Sequence, residues 1–262
     1  YVDNPPVMDD AMRAFIEKER EELMTDFEIE NAENLTDFSK TLVPENKCFY
    51  PTGTHAAGVL VYRNDVYSAD EAPKTFEELT DAKYAGQVGM ADPGVAAPAY
   101  PLAAYFMDNM GMEGGQEYFT AMFEQGLKVF PKNPQVVQAL ASGEISVAMI
   151  QESNAYGMVE NGEPVSIVWP ESGAPGATRV AAISASTDQP EVAKAFVNFL
   201  LEQETQQKLV ELGDEGYFEP SVEGVTLKTE RDANAKLAVA DIEFGAENEG
   251  DIKAWFADMS AQ

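Results

Sequence analysis

The sequence predicts an α/β protein in which most strands of the sheets are parallel. Short apolar runs of strand length, including those at 56–62, 87–90 and 145–150, alternate with longer segments that have helical periodicity. This alternation is typical of an α/β fold, since a helix usually connects two parallel strands. The 262 residues, of which 45% are hydrophobic, are enough to bury one large core or two modest ones.

The N-terminal part is predicted to start with a helix. Apolar residues recur at intervals of three and four over 7–23, and acidic residues occupy the opposite face. A short helix is predicted to begin at 34–38, and residues 49–55 are expected to form a loop before the buried strand at 56–62. That strand ends in a polar turn at 63–65.

The middle of the chain continues the alternation. Thr75 followed by Glu78 is a capping box, which predicts the start of a helix. After the strand at 87–90, helices are predicted at 97–110, 114–125 and 134–142. Gly143 is expected to end the last of these, because glycine readily adopts the left-handed conformation that closes helices.

The C-terminal part is predicted to contain the longest helix. It spans 189–212, has one apolar side and stops at Gly213. Further apolar runs predict strands at 145–150, 165–169 and 180–183. Two more helices are predicted at 237–244 and 252–259.

The charge balance excludes several classes of partner. The chain has 46 acidic and 17 basic residues, which gives a net charge of −29. A chain this acidic repels nucleic acid and anionic lipid, so neither is expected as a partner. Self-repulsion of this size is tolerable where salt screens charges over a few ångströms. We therefore expect an acidic protein of a halophilic organism.

Cysteine and histidine are too scarce for common metal and redox sites. Cys48 is the only cysteine, so it can form neither an internal disulfide nor a thiolate metal site by itself. His55 is the only histidine, which excludes any motif of two histidines. No flanking motif supports a catalytic pair of Cys48 and His55. No stretch approaches the roughly 20 apolar residues of a membrane-spanning helix.

Three segments of the chain resemble known solute-binding proteins. Residues 52–65 read TGTHAAGVLVYRND, similar to a glycine-led crossover strand, and residues 73–93 pair PKTFEEL with YAGQVGMADP. Residues 189–200 read QPEVAKAFVNFL and are followed by Gln206. Together, and in this order, they resemble the periplasmic or extracellular solute-binding proteins of ABC importers. Within family 1 of these proteins, the branch that binds ferric iron or aminoethylphosphonate is the most similar.

The resemblance implies a type II periplasmic-binding-protein fold, in which two α/β lobes are joined by crossing strands. A hinge between the lobes would let them close on a ligand. Lobe one is expected at 1–64 plus 178–236, and lobe two at 65–177 plus about 237–262. The first fifty residues are shorter than in the family, which normally has a further strand, helix and strand there.

The resemblance also implies a function. The protein would capture a small polar ligand as a monomer and deliver it to the membrane permease of an ABC transporter, without being an enzyme or using a cofactor. It would be extracellular or periplasmic, with a lipid anchor in the full-length precursor. A binding subunit of a sensor or receptor is an alternative. An enzyme of similar fold, such as porphobilinogen deaminase, needs a cysteine that carries a cofactor, and Cys48 lacks that setting.

Candidate binding residues follow from the positions of the loops. In open parallel sheets, ligands bind beyond the carboxyl ends of the strands, where helix N-termini present free N–H groups. Residues 96–98 read AAP where the family commonly has hydroxyl-bearing residues, which weakens the expectation of a phosphonate ligand. The candidate ligand-binding residues are Asn4, Thr52, Gly53, Thr54, His55, Asp92, Tyr100, Glu152, Ser153, Asn154, Tyr156 and Arg179.

Two kinds of ligand remain open. Iron-binding members of the family usually have two adjacent tyrosines where this chain has Tyr156 alone. If ferric iron is the transported ligand, the resemblance points to Tyr156, His55 and Glu152 as its ligands, because Fe(III) favours hard anionic donors. Otherwise, the ligand is a small polar organic molecule or oxyanion, held by N–H groups, hydroxyls and Arg179.

Overall fold

The computed structural model describes residues 23–213, 216–229, 231–232 and 235–261, and these residues form an α/β protein. The helix predicted over 7–23 falls almost entirely outside the described residues. None of the helices within the described ranges is long and apolar enough to span a bilayer.

The chain divides into two compact units. The first unit comprises Tyr1–Gly53, Arg179–Glu211 and Pro220–Thr226. The second comprises Thr54–Thr178, Leu212–Glu219 and Leu227–Gln262. Two of the boundaries fall inside strands, between Gly53 and Thr54 and between Thr178 and Arg179. The lobe limits predicted from the sequence stay a prediction.

The strands of the described residues form two sheets. One has the order β1-β7-β8, and the other has the order β4-β3-β5-β2-β6. In the five-stranded sheet, β3 is parallel to β4 and β5, whereas β2 is antiparallel to β5 and β6. The strands are β1 Phe49–Ala56, β2 Val59–Arg63, β3 Val88–Ala91, β4 Lys128–Phe130, β5 Val147–Ile150, β6 Val165–Val168, β7 Ala174–Ala182 and β8 Leu237–Ala238.

Nine α-helices and four 3-10 helices occur among the described residues. The α-helices are α1 Asp37–Thr41, α2 Tyr100–Asn109, α3 Gly111–Glu124, α4 Asn133–Ser142, α5 Glu152–Glu160, α6 Pro190–Leu200, α7 Gln203–Leu212, α8 Ile242–Glu247 and α9 Glu249–Ser260. The 3-10 helices are Glu30–Asn34, Glu77–Thr80, Ala82–Tyr84 and Ala97–Ala99.

The five-stranded sheet of the second unit is buried on both faces. Successive side chains of a strand point to opposite faces, so Leu60 and Tyr62 of β2 enter one apolar cluster and Val59 and Val61 enter another. The first cluster is rich in aromatic rings, and the second consists mostly of aliphatic side chains. A strand buried on both faces reads as a continuous apolar run, which is why the sequence predicted this strand.

The first unit has a core of its own. Thr36 caps α1, since its hydroxyl oxygen accepts a hydrogen bond from the Ser39 N–H at 3.1 Å. The apolar side of α6 contributes Val197, which packs with the chain segments around the helix. The buried side chains of this core are Phe27, Leu35, Tyr50, Ile183, Val197, Leu201 and Val222.

Several predicted elements differ from the structure. The loop expected at 49–55 is wrong, since Phe49–Ala56 form strand β1, which lies next to β7 in the three-stranded sheet. The helix predicted over 189–212 is two helices, and the Gln206 side chain donates to the Leu200 carbonyl at 2.9 Å beside the break.

Two more elements were predicted with the wrong type of structure. The N-terminal part of the helix predicted at 237–244 is strand β8, which pairs with β7 in parallel. The capping-box bond from Glu78 N–H to the Thr75 hydroxyl is present at 3.3 Å, but the helix that follows is a short 3-10 helix.

Candidate functional site

A pocket lies at the carboxyl ends of three adjacent parallel strands of the second unit. Strands β4, β3 and β5 end at Phe130, Ala91 and Ile150, and the pocket opens among the residues that follow them. Its volume is about 360 Å³. It is lined by Val95, Ala96, Ala97, Pro98, Lys132, Asn133, Pro134, Gln151 and Asn154.

The pocket combines a positive charge with amide groups. Lys132 immediately precedes α4, and Gln151 immediately precedes α5, so the starts of both helices border the pocket. Helix N-termini carry partial positive charge and attract anions. The Asn133 and Gln151 side chains are buried, whereas Lys132 is exposed. The arrangement suits a small ligand with an anionic group.

Glu152, the first residue of α5, carries a buried carboxylate. Its side chain is only 1% exposed. Its Oε1 accepts a hydrogen bond from the Ala56 N–H at 2.7 Å. Arg231 donates to the same carboxylate from Nη2, at 2.7 Å to Oε1 and 2.9 Å to Oε2, and from Nε at 3.2 Å. The two side chains form a buried ion pair.

Arg231 also joins two further groups. Its Nη1 donates to Glu219 Oε2 at 2.6 Å, and its guanidinium lies over the Trp169 ring, 5.0 Å from the centroid. Two carboxylates therefore surround one guanidinium. Burial raises the pKa of the Glu152 carboxyl, and the attraction to Arg231 and the hydrogen bond from Ala56 oppose that rise.

Aromatic side chains adjoin this ion pair. Tyr156 stacks on Tyr217 with ring centroids 4.8 Å apart, and the Trp169 Nε1–H donates to the Tyr156 hydroxyl at 3.2 Å. Tyr217 hydrogen-bonds to Glu160, and Lys228 lies over the Tyr217 ring at 4.6 Å. Burial raises the pKa of both tyrosines above the ordinary value of a phenol.

The structure brings some predicted residues together in the second unit. Glu152 and Tyr156 both belong to α5 and are connected through Arg231 and Trp169. Asn154 lines the pocket, and the Ser153 hydroxyl accepts a hydrogen bond from the neighbouring Gln151 side chain at 2.9 Å.

The two predicted residues of β1 in the second unit are buried. Thr54 is 1% exposed and His55 is 8% exposed. The hydroxyls of Thr54 and Thr178 are hydrogen-bonded at 3.0 Å.

Two other predicted residues of this unit serve local structure. The Asp92 carboxylate accepts a hydrogen bond from the Gly94 N–H at 2.7 Å and so holds its own loop. Tyr100 packs against the aromatic core and hydrogen-bonds to the Gly245 carbonyl. Burial raises the pKa of Tyr100 to about 12.

The remaining predicted residues lie elsewhere. Thr52, Gly53 and Arg179 belong to the first unit, where the Thr52 hydroxyl donates to the Arg179 carbonyl at 3.3 Å. Asn4 lies outside the described residues.

Two of the three candidate iron ligands, Glu152 and Tyr156, are engaged in other hydrogen bonds. Both carboxylate oxygens of Glu152 accept hydrogen bonds from Arg231, and the Tyr156 hydroxyl accepts one from Trp169. The guanidinium adds a positive charge beside any cation bound there. Within the part of the chain that the structure describes, no group of three His, Cys, Asp or Glu residues could hold a metal ion.

Sequence reasoning missed Arg231, Glu219, Trp169 and Lys132. Arg231 lies 79 residues from Glu152 in the chain, and no motif surrounds it. The one feature of the sequence that could have drawn attention to Arg231 is the scarcity of arginine, with five in 262 residues. It pointed equally to Arg179, which belongs to the first unit.

Comparisons with known proteins agree with this architecture. Residues 5–242 match the family model described as bacterial extracellular solute-binding protein. The chain is similar to iron-bound HitA from Pseudomonas aeruginosa, with 18% identity, a TM-score of 0.76, and coverage of 94% of this chain and 79% of that one.

Two more solved structures are similar over comparable lengths. The first is the periplasmic binding protein AfuA from Actinobacillus pleuropneumoniae with exogenous fructose-6-phosphate bound, with 18% identity, a TM-score of 0.76, and coverage of 93% of this chain and 78% of that one. The second is the ferric binding protein from Campylobacter jejuni, with 17% identity, a TM-score of 0.71, and coverage of 93% of this chain and 79% of that one. No curated protein sequence matches the chain significantly. At these identities, the structural likeness establishes a common fold.

Proposed function

The chain belongs to the family of bacterial extracellular solute-binding proteins, and we propose that it captures a small polar ligand that carries an anionic group. Its fold is the two-lobed α/β fold of type II periplasmic binding proteins, as predicted. As a member of this family, it binds its ligand outside the cytoplasm and passes it to the permease of an ABC transporter. Its family consists of transport proteins rather than enzymes. A lipid anchor in the precursor is part of the proposal.

The pocket beside Lys132 is the observation that supports the ligand class. It lies where α/β sheets usually bind ligands, beyond the carboxyl ends of parallel strands. Lys132 and the starts of α4 and α5 supply positive charge, and Asn133, Gln151 and Asn154 supply amide groups that can bond hydroxyls or oxyanions. Pro98 and Pro134 have no N–H, so neither can donate to a ligand from its backbone nitrogen.

Ferric iron is the second candidate, because HitA and the Campylobacter jejuni protein are named for iron. The engaged Glu152 and Tyr156, together with the guanidinium beside them, argue against it. AfuA, with fructose-6-phosphate bound, is an example of the same fold with an organic phosphate. We therefore favour an organic anion or oxyanion as the transported ligand.

A thermal-shift screen tests the proposal, because a ligand that binds the folded state raises Tm by mass action. The screen includes inorganic phosphate, phosphonates, fructose 6-phosphate, carboxylic acids and ferric citrate. We expect an anionic compound to raise Tm of the wild type, and Lys132→Ala to reduce that shift. Lys128→Ala is the matched control, because Lys128 lies in β4 of the same unit but pairs with Glu144 outside the pocket. Equal shifts in both variants would contradict the assignment of the pocket.

A further inference from the structure

Three residues at the ends of segments of the second unit are bonded to one another. The chain enters the unit at Thr54 and leaves it at Thr178 and at Glu219. Thr54 and Glu219 exchange two backbone hydrogen bonds, at 2.9 Å and 2.6 Å, and the hydroxyls of Thr54 and Thr178 meet at 3.0 Å. All of these bonds lie within the second unit.

The same residues are connected to the first turn of α5 by two routes. One route runs from Thr54 along β1 to Ala56, whose N–H donates to Glu152. The other runs from Glu219 to Arg231 and from Arg231 to Glu152. The two routes close a ring of bonds, and Arg231 is the member that bridges two carboxylates.

We propose that Arg231 is a positioning residue for the ligand-binding turn at the start of α5. By holding Glu152, it fixes the turn that presents Gln151 and Asn154 to the pocket. It also connects that turn to Glu219, and through Glu219 to Thr54, at the ends of segments of the unit. Ligand contact at the turn is thereby coupled to the strand segments that lead out of the unit. The inference rests on the proposed function, which assigns the turn to ligand binding.

The chemistry of the pair explains why an arginine is needed. The guanidinium donates to the carboxylate through two nitrogens and still reaches Glu219 with a third. A lysine ammonium is a point charge and cannot reproduce this planar fork. Without Arg231, the bond from Ala56 is the one that Glu152 keeps among the described residues, and a buried carboxylate with so few partners either takes up a proton or turns toward water. Either change releases the turn.

Hydrogen exchange measured by mass spectrometry tests this proposal without a ligand. In Arg231→Ala, we expect exchange to speed up by about tenfold or more at the Ala56 amide and at Asn154 and Ala155, whose amides donate to the Gln151 carbonyl. Exchange in α9, for example at the Ile252 amide, is expected to stay unchanged. Arg231→Lys should show an intermediate increase at the same amides.

Arg63→Ala is the matched control. Arg63 also pairs with a carboxylate in the second unit, at 2.6 Å to Asp65, but it makes no bond to the ring. This variant should leave the amides of the α5 turn as they are in the wild type. If Arg231→Ala left them unchanged, or accelerated exchange equally in α9, Arg231 would not be a positioning residue. If Arg231→Ala does not fold, Arg231→Lys is tested instead, and it too must show faster exchange at the amides of the α5 turn and unchanged exchange in α9.

The outcome is separable from that of the proposed function. A ligand found by the screen, together with unchanged exchange in the variants, would overturn the positioning role and leave the function intact. Local acceleration in Arg231→Ala without any ligand in the screen would support the positioning role and count against the function.

Discussion

Removing Arg231 should cost far more stability than removing an exposed arginine or lysine. The side chains of Glu152 and Arg231 are 1% and 10% exposed, so Arg231→Ala leaves a carboxylate in the interior with one of the four hydrogen bonds that it accepts from described residues. Breaking a buried ion pair by removing one partner typically costs about 3–5 kcal/mol. We expect a loss of this size in the free energy of unfolding at pH 7.

The pH dependence of this loss has a definite sign. Burial raises the pKa of Glu152 above its ordinary value of 4.5, and the loss of Arg231 removes the attraction that opposes the rise. A group with a raised folded pKa contributes stability that is complete below the unfolded pKa and is lost as pH rises through the folded pKa. The loss caused by Arg231→Ala should therefore be smaller at pH 5 than at pH 7.

Urea denaturation at both pH values, in the same salt concentration, measures these quantities. The double variant Arg231→Met with Glu152→Gln removes both charges while a side-chain oxygen still accepts from Ala56. It should lie within about 1 kcal/mol of the wild type, because replacing both members of a buried pair is often neutral. Lys208→Ala, which breaks an exposed pair with Glu204, should cost less than about 0.5 kcal/mol. A loss in the single variant no larger than in the double variant would refute the reasoning.

Three further predictions concern packing, salt and iron. Gly58→Val should lower the free energy of unfolding, measured by urea denaturation, by about 1–3 kcal/mol, because a Cβ at Gly58 would lie 2.5 Å from Leu102 Cδ1. Gly157→Ala is the control and should not destabilise the protein, because the space beside Gly157 in α5 is open. Similar losses in the two variants would contradict this prediction. Tm should rise steeply between dilute buffer and molar NaCl, since salt screens the repulsion of a net charge of −29; a flat response would remove the expectation of a halophilic protein. Ferric salt should produce no visible tyrosinate-to-iron absorption band with the wild type, because the Tyr156 hydroxyl and the Glu152 carboxylate already accept hydrogen bonds from Trp169 and Arg231. The appearance of such a band would support iron as the transported ligand.

Local sequence patterns predicted the elements whose shape depends on neighbouring residues. Gly143 ends α4 in the left-handed conformation, with φ of 78°, as its position after the apolar periodicity indicated. The buried strands β2, β3 and β5 read as apolar runs because both of their faces are covered. In each case, the decisive information lies within about ten residues of the chain.

Elements fixed by distant partners could not be predicted in this way. The helical periodicity of 189–212 continues across Leu201 and Glu202, and the break depends on tertiary contacts such as the bond from Gln206 to Leu200. Strand β8 exists because it pairs with β7, some sixty residues earlier in the chain.

The candidate site likewise combines residues that a local pattern predicts with residues that depend on distant partners. The region 152–156 was found because a polar segment follows an apolar strand, which is a local signal. Its partners Arg231 and Glu219 come from two other segments of the second unit, and nothing in their flanking residues indicates the pairing. The assignment of these residues to ligand binding stays a prediction until a ligand is identified.

The position of Trp169 gives the protein an intrinsic optical probe. The chain has only two tryptophans, and Trp255 packs against Phe256 in the aromatic core of the second unit, with ring centroids 5.1 Å apart. Replacing Trp255 with phenylalanine would leave one indole, which faces the Arg231 guanidinium and donates to Tyr156. Emission from that indole then follows events at the ion pair directly, so titrations and stopped-flow measurements need no attached dye.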